Sequence, residues 1–162
     1  MTNPFAYPNT DRTTLLAQHI VSLLESNKNT FDFPILDVLY GKHGMVPQSP
    51  TVVVMSGVKD RALRGVAAPG GRTNNEMNVL IDVMAADVLE GEEVGRLKVD
   101  TLAEDIEHLL HTYPNMDGLI IHGYVQRSDP GELFINKSSW RTVRLTFVGI
   151  SLTYLSPPAA PV

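Results

Sequence analysis

The sequence predicts an α+β fold in which two helices cover a mainly antiparallel sheet of about four strands, with a long hairpin loop and extended termini. Two segments carry apolar residues at helical spacing, one near the N-terminus and one in the middle of the chain. Strand-like segments rich in β-branched residues lie between and after them, separated by turn-forming residues. Hairpin-type connections join antiparallel neighbours, which favours this class over a parallel sheet.

Length and composition suit one globular domain. The chain has 162 residues, of which 43% are hydrophobic and 19% are charged, so we expect a single domain over residues 1–162. Residues 1–10 and 156–162 contain several prolines. We therefore expect an N-terminal arm and a Pro-rich C-terminal tail that do not pack as regular elements.

The balance of charges and the absence of cysteine exclude several kinds of function. The formal net charge is −5, which argues against a dedicated nucleic-acid binder, because such a protein needs a basic face. Without cysteine the chain has no disulfide, no thiolate metal site and no cysteine nucleophile. No apolar run approaches the length of a membrane span and the start does not resemble a signal peptide, so we expect a soluble protein.

The first helix is expected to begin at Thr10 or Asp11, either of which can cap its N-terminus, and to end at Asn27 or Asn29. Six side chains recur at helical spacing and predict its buried face. These are Leu15, Leu16, His19, Ile20, Leu23 and Leu24.

A hairpin is expected to follow. The segment 35–40 can form a strand, and Thr51–Met55 is apolar and β-branched enough to be a strand covered on both faces. Residues 77–88 then predict the second strand of a hairpin, and the Gly-rich segment 57–75 between the two strands predicts a long, open loop.

The second helix is expected to begin at Gly91-Glu92-Glu93, where carboxylates favour the positive end of the helix dipole, and to stop at Tyr113-Pro114-Asn115. Its predicted buried stripe consists of Val99, Leu102, Ile106, Leu109 and Leu110.

Two strands are expected in the last third of the chain. Residues 118–127 and 140–155 have strand-like patterns, and Asp129-Pro130-Gly131 between them predicts a turn. The apolar positions of the last strand change phase after Gly149, which predicts a bulge there. Both central strands are too apolar to be freely solvated, which is a first indication of an oligomer.

No convincing active site emerges. His108 and His111 are neighbours on the second helix, and with Glu104 they form a weak candidate for a metal-dependent hydrolase. Histidines at a helix C-terminus are more simply explained by the helix dipole. The segment 65–73 lacks the Gly-Lys-Ser/Thr ending of a phosphate loop, and no nucleophile elbow is present. We therefore predict no catalytic residue, no metal and no cofactor.

The chain resembles the tail terminator proteins of long-tailed bacteriophages, which are also called tail completion or neck proteins. No single stretch carries the resemblance, which rests on the order and spacing of four stretches and covers about residues 35–155. The stretches are Val38-Leu39-Tyr40-Gly41 followed by Ser49-Pro50-Thr51-Val52-Val53-Val54, then Lys59-Asp60-Arg61 with Pro69-Gly70-Gly71-Arg72-Thr73, then Val94 to Leu110, and finally Gly118-Leu119-Ile120-Ile121-His122-Gly123 with Arg141-Thr142-Val143-Arg144-Leu145-Thr146-Phe147.

The resemblance implies a structural virion protein that is assembled in the host cytoplasm and forms a ring, commonly a hexamer. The ring caps the tail tube beneath the head connector, contacts the tail tube protein and a connector or stopper protein, and lets DNA pass through its lumen without specific binding. It implies no catalysis and no membrane. In that role the expected subunit or tube contacts are Lys59, Arg61, Arg64, Arg72, Arg141 and Arg144.

Three other functions stay open at this point. The chain can be another head–tail joining protein, such as a stopper or an adaptor. The hydrolase built on Glu104, His108 and His111 is a second alternative. A module that binds a peptide on an open sheet edge is a third.

Overall fold

A computed structural model describes residues 12–41, 48–64, 72–86, 92–135 and 137–154, with only the backbone described at 58–64, 72–75, 92 and 152–154. The N-terminal arm and the Pro-rich tail predicted from the sequence lie outside these residues. The elements in chain order are α1 (Arg12–Asn27), β1 (Asp37–Tyr40), β2 (Thr51–Arg64), β3 (Arg72–Ala86), α2 (Glu92–Thr112), a short 3-10 helix (Met116–Gly118), β4 (His122–Ile135) and β5 (Ser138–Tyr154).

The five strands form one sheet in the order β1-β2-β3-β5-β4. Only β1 and β2 are parallel, and every other neighbouring pair is antiparallel. The α+β class and the two helices predicted from the sequence are therefore confirmed, with five strands rather than about four. The segment 35–40, which the sequence indicated as a possible strand, contains β1, a short strand of four residues.

Both helices pack on the same face of the sheet, which we call the helix face, and bury the main core there. Along α1 the fully buried apolar side chains are those of Leu16, Ala17, Ile20 and Leu24. Residues 15, 19 and 23 of the predicted stripe are only partly buried. The stripe predicted for α2 is buried at Val99, Leu102, Ile106 and Leu110, while Leu109 is partly buried.

The opposite face of the sheet, the outer face, carries a smaller apolar cluster around Val53, Met84 and Trp140. Leu133 and Ile135 of β4 pack against this cluster and are partly buried. This face also holds the ion pair between Arg144 and Asp82. The outer face is thus neither purely polar nor purely apolar.

The long loop predicted at 57–75 is mostly strand. β2 continues to Arg64, β3 begins at Arg72, and the two are paired in register to that point. A bulge between Ser56 and Lys59 shifts the register by one residue. Glycines and charged residues hid this pairing from the sequence pattern, because the apolar alternation ends before the hydrogen-bonded ladder does.

The turn predicted at Asp129-Pro130-Gly131 is wrong, because β4 runs without interruption through these residues. A proline is tolerated there because β4 is an edge strand, where a missing backbone donor leaves no partner unpaired. The chain instead reverses between the paired residues Ile135 and Ser138, where Lys137 has a positive φ of 66°.

The bulge predicted near Gly149 is also displaced. β3 and β5 keep one register along their whole length, and the bulge lies on β4, between Val125 and Arg127. Gly149 has a packing role instead, since a Cβ atom there would lie 2.8 Å from Cδ2 of Leu16.

The strand predicted from residue 118 begins later, at His122, because Met116–Gly118 forms a turn of 3-10 helix that places Met116 in the core. Within the described residues, neither helix has the length and apolar character needed to cross a membrane.

Candidate subunit interface

Three strands continue past the part of the sheet that the helices cover. We call this region the sheet extension and define it as residues 59–64 of β2, 72–76 of β3 and 151–154 of β5. β1 ends opposite Val54 and β4 begins opposite Ile150, so neither flanks it. On β3, the buried core residue nearest to the extension is Met77. Five residues of β3 follow in the extension, which corresponds to a length of about 16 Å.

The sheet extension carries four of the six cations predicted as contacts. The register pairs Lys59 with Met77 and Arg61 with Asn75. Residues directly opposite each other share a face of a sheet, so Lys59 and Arg61 occupy positions of the helix face. Arg64 pairs with Arg72, and both occupy positions of the outer face. The formal charge of residues 57–76 is +2, in a chain of −5.

Arg144 is the fifth predicted contact and is held within its own chain. Its Nε donates to Oδ1 of Asp82 at 2.7 Å and its Nη2 donates to Oδ2 at 2.8 Å. The side chain of Asp82 is 9% exposed and that of Arg144 is 48% exposed. The hydrogen bonds to Asp82 raise the pKa of Arg144 above its ordinary value, against a smaller opposing effect of burial.

Arg141, the sixth predicted contact, lies on the other face of β5. Its Nη1 is 3.7 Å from Oε2 of Glu132 on β4, and its side chain is only 14% exposed. Glu132 also accepts a hydrogen bond from the Ser139 hydroxyl at 2.6 Å. The structure therefore separates Arg141 and Arg144 from the four cations of the extension and from each other.

The histidines do not gather into a metal site. His111 Nε2 accepts a hydrogen bond from the backbone N–H of Val125 at 3.2 Å, and His108 is exposed on α2. Among the described residues, no group of three His, Asp or Glu side chains is placed to hold a metal ion. The structure therefore gives the hydrolase alternative no geometric support.

A feature that sequence reasoning missed lies on the outward face of α2. We call it the outer stripe, and its spacing of four, three, four and three residues places its members on one side of the helix. It faces away from the buried stripe, and its Leu97 is 59% exposed. The outer stripe consists of Glu93, Leu97, Asp100, Glu104 and Glu107.

The carboxylates of the outer stripe are largely unpaired. Asp100 is 3.9 Å from Arg96, a weak contact at the surface. Within the part of the chain that the structure describes, no ion pair involves Glu93, Glu104 or Glu107. α2 carries six carboxylates and two cations, for a formal charge of −4. The recurrence of carboxylates at helical spacing is the signal that would have identified this surface.

β4 forms the long edge of the sheet. It spans 14 residues, and its side chains at 128, 130, 132 and 134 are exposed. Phe134, near the turn to β5, is 73% exposed. A long edge strand presents unpaired backbone groups, which natural proteins cover, interrupt or use for assembly. Pro130 removes one backbone donor from this edge without breaking the strand, and the N–H of Val125 donates to His111 Nε2.

In comparisons with known proteins, the sequence matches no protein-family model and no curated protein.

Proposed function

We propose that this chain is a structural virion protein, a tail terminator subunit that forms a ring and caps the tail tube of a long-tailed bacteriophage at the neck. The proposal rests on the resemblance of the four sequence stretches and on one observation above all. The sheet extension projects from the helix-covered core and carries an excess of cations, while the rest of the chain is acidic.

This geometry suits a subunit that reaches its neighbours. The extension lies beyond the last sheet residues of the main core, Met77 on β3 and Phe147 on β5. Its charge is opposite to that of the body, and complementary charges on different parts of a subunit favour head-to-tail contacts, which close into rings. An acidic ring also lets DNA pass without tight binding, because like charges repel.

The native mass of the purified protein tests this proposal. Light scattering over a concentration series is expected to show one discrete species of ring size, and negative-stain electron microscopy of that species is expected to show rings with a central opening. A chain that stays monomeric at all salt and protein concentrations, and that does not bind isolated tail tubes, would contradict the proposal.

The same preparation separates a terminator from a stopper or an adaptor. A terminator is expected to bind the end of purified tail tubes that lack their own cap. A stopper or adaptor is expected to bind the head connector instead, so labelling each structure with the tagged chain distinguishes the two roles.

A further inference from the structure

The cations of the sheet extension and the carboxylates of α2 cannot meet within one chain. The N–H of Val125 donates to His111, and Val125 pairs with Phe147, which pairs with Val79, so the C-terminal end of α2 lies level with Val79 of β3. Arg61 pairs with Asn75, which lies four residues beyond Val79 in the direction of the extension. Glu104 lies seven residues back along α2, in the opposite direction.

The distance between Arg61 and Glu104 along the sheet follows from the rise per residue of a strand and of a helix. Four strand residues span about 13 Å and seven helix residues span about 10 Å. Arg61 and Glu104 of one chain are thus about 20 Å apart along the sheet, well beyond the ~8 Å over which salt leaves exposed charges able to interact. The cations of the extension and the carboxylates of the outer stripe therefore cannot pair with each other within one chain.

One surface is the face of a sheet and the other is the face of a helix, and these two kinds of surface commonly pack together. On the helix face, the core of the sheet is covered by α1 and α2 as far as Met77 and Gly149, where Leu16 packs. The extension continues this face at the register positions of Lys59, Arg61 and Leu63. A sheet face is normally covered by a helix. The outer stripe is a helix face on which no other described element packs, and it has an exposed leucine among its carboxylates.

We propose that the outer stripe of α2 in one subunit packs on the helix face of the sheet extension in a second copy of this chain. Lys59 and Arg61 then lie against Asp100 and Glu104, and Leu97 is removed from water beside Leu63. The contact is head-to-tail, because each subunit offers one extension and one stripe. The inference rests on the proposed ring and specifies the two surfaces that close it.

Two charge-reversal variants test the contact. In the first, Lys59→Glu and Arg61→Glu make the extension acidic, and in the second, Asp100→Lys and Glu104→Lys make the stripe basic. Each variant alone places like charges against each other, and we expect the protein concentration needed for half-assembly to rise at least about tenfold. The matched controls are Arg127→Glu with Lys137→Glu, and Glu25→Lys with Asp32→Lys, which reverse exposed charges elsewhere and are expected to assemble as the wild type does.

Mixing the two variants gives the decisive result. A subunit with an acidic extension can pair only with a subunit that has a basic stripe, so the mixture is expected to form rings with alternating subunits, although each variant alone does not assemble. Native mass spectrometry with one variant isotopically labelled measures the ratio of the two. Circular dichroism of each variant verifies the fold, and recovery on mixing is itself incompatible with misfolding.

The outcomes are distinct for the two proposals. If both charge-reversal variants assemble as the wild type does, the extension-to-stripe contact is overturned. The contact is also overturned if each variant fails to assemble alone and mixing does not restore assembly. Neither result contradicts the proposed ring. A wild-type chain that forms no oligomer under any condition overturns both.

Discussion

Arg144 on β5 lies directly opposite Asp82 on β3 in the sheet and donates two parallel hydrogen bonds of 2.7 and 2.8 Å to its carboxylate. The bidentate geometry uses the planar guanidinium fully. The pair lies on the outer face, near the apolar cluster around Trp140. It therefore gives that face a fixed polar contact at the centre of the sheet, where a register error would separate the two charges.

Removing the cation of this pair is expected to destabilise the fold. Arg144→Leu leaves a carboxylate that is only 9% exposed without its partner. Because Arg144 is half exposed and water can partly replace it, we expect a loss of about 1–3 kcal/mol in the free energy of unfolding, measured by denaturant titration. Arg127→Leu is the control, since its pair with Asp129 is exposed. Equal losses in the two variants would contradict a special role for Arg144.

The pH dependence of the same pair follows from the direction of the pKa shift. Asp82 raises the pKa of Arg144, so the contribution of the arginine is fully present from neutral pH up to the ordinary arginine value and is lost as the pH rises through the higher folded-state value. The difference in stability between the wild type and Arg144→Leu should therefore be constant from neutral to mildly alkaline pH. A difference that declines over this range in urea titrations would show that another group is involved.

Gly123 and Gly149 are paired across β4 and β5, and side chains fill the space above both. A Cβ at Gly123 would lie 2.3 Å from Cζ of Phe147, which is completely buried. Gly123→Ala should therefore lower the free energy of unfolding by about 2–3 kcal/mol, because the ring cannot move without disturbing the core. Gly131→Ala is the control, since its Cβ would lie 3.0 Å from the Thr142 hydroxyl. Similar thermal stability of the two variants would show that the core can rearrange.

His111 is expected to protect one backbone amide of the edge strand. Its Nε2 accepts the N–H of Val125 beside the bulge on β4, so His111→Ala should increase the hydrogen-exchange rate of the Val125 amide by about tenfold while global stability changes by less than about 1 kcal/mol. His108→Ala, three residues earlier on α2, should leave this amide unchanged. An unchanged exchange rate in His111→Ala would mean that the hydrogen bond is not maintained in solution.

The turn between β4 and β5 offers a stabilising substitution. Lys137 has a φ of 66°, in the left-handed region, and follows Asn136 in a two-residue connection between paired strands. Lys137→Gly removes the steric cost of a side chain in this conformation and is expected to stabilise the fold by about 0.5–1 kcal/mol, despite the entropy that glycine adds to the unfolded chain. Lys137→Ala, which keeps a Cβ, should not give this gain in a denaturant titration.

The helices and the core strands were predictable because their apolar residues recur with a regular period. Leu16, Ile20 and Leu24 on α1 are one such series, and Val143, Leu145 and Phe147 on β5 are another. The pattern predicted these elements correctly because burial of one face is a local property of a helix or a strand. It overestimated the burial of Leu15 and Leu23, since the width of a buried stripe depends on what packs against it.

The candidate interface was predictable only in part. The cations at residues 59, 61, 64 and 72 were visible in the sequence, but their distribution over two faces of a paired sheet depends on the bulge between Ser56 and Lys59. The separation of Arg141 from Arg144 follows simply from strand alternation. The intrachain partner Asp82 lies 62 residues away in the sequence, and no local pattern connects the two.

The sequence by itself determined the α+β class, both helices and the main apolar faces, because these depend on the periodicity of neighbouring residues. Only the tertiary structure decided that β4 passes through Asp129-Pro130-Gly131 and that the segment once expected to be a loop forms a sheet extension. A proline is acceptable or disruptive according to whether its strand lies at an edge. The charged segments 59–64 and 72–76 become strands because neighbouring strands supply their hydrogen bonds, and both conditions are set by distant parts of the chain.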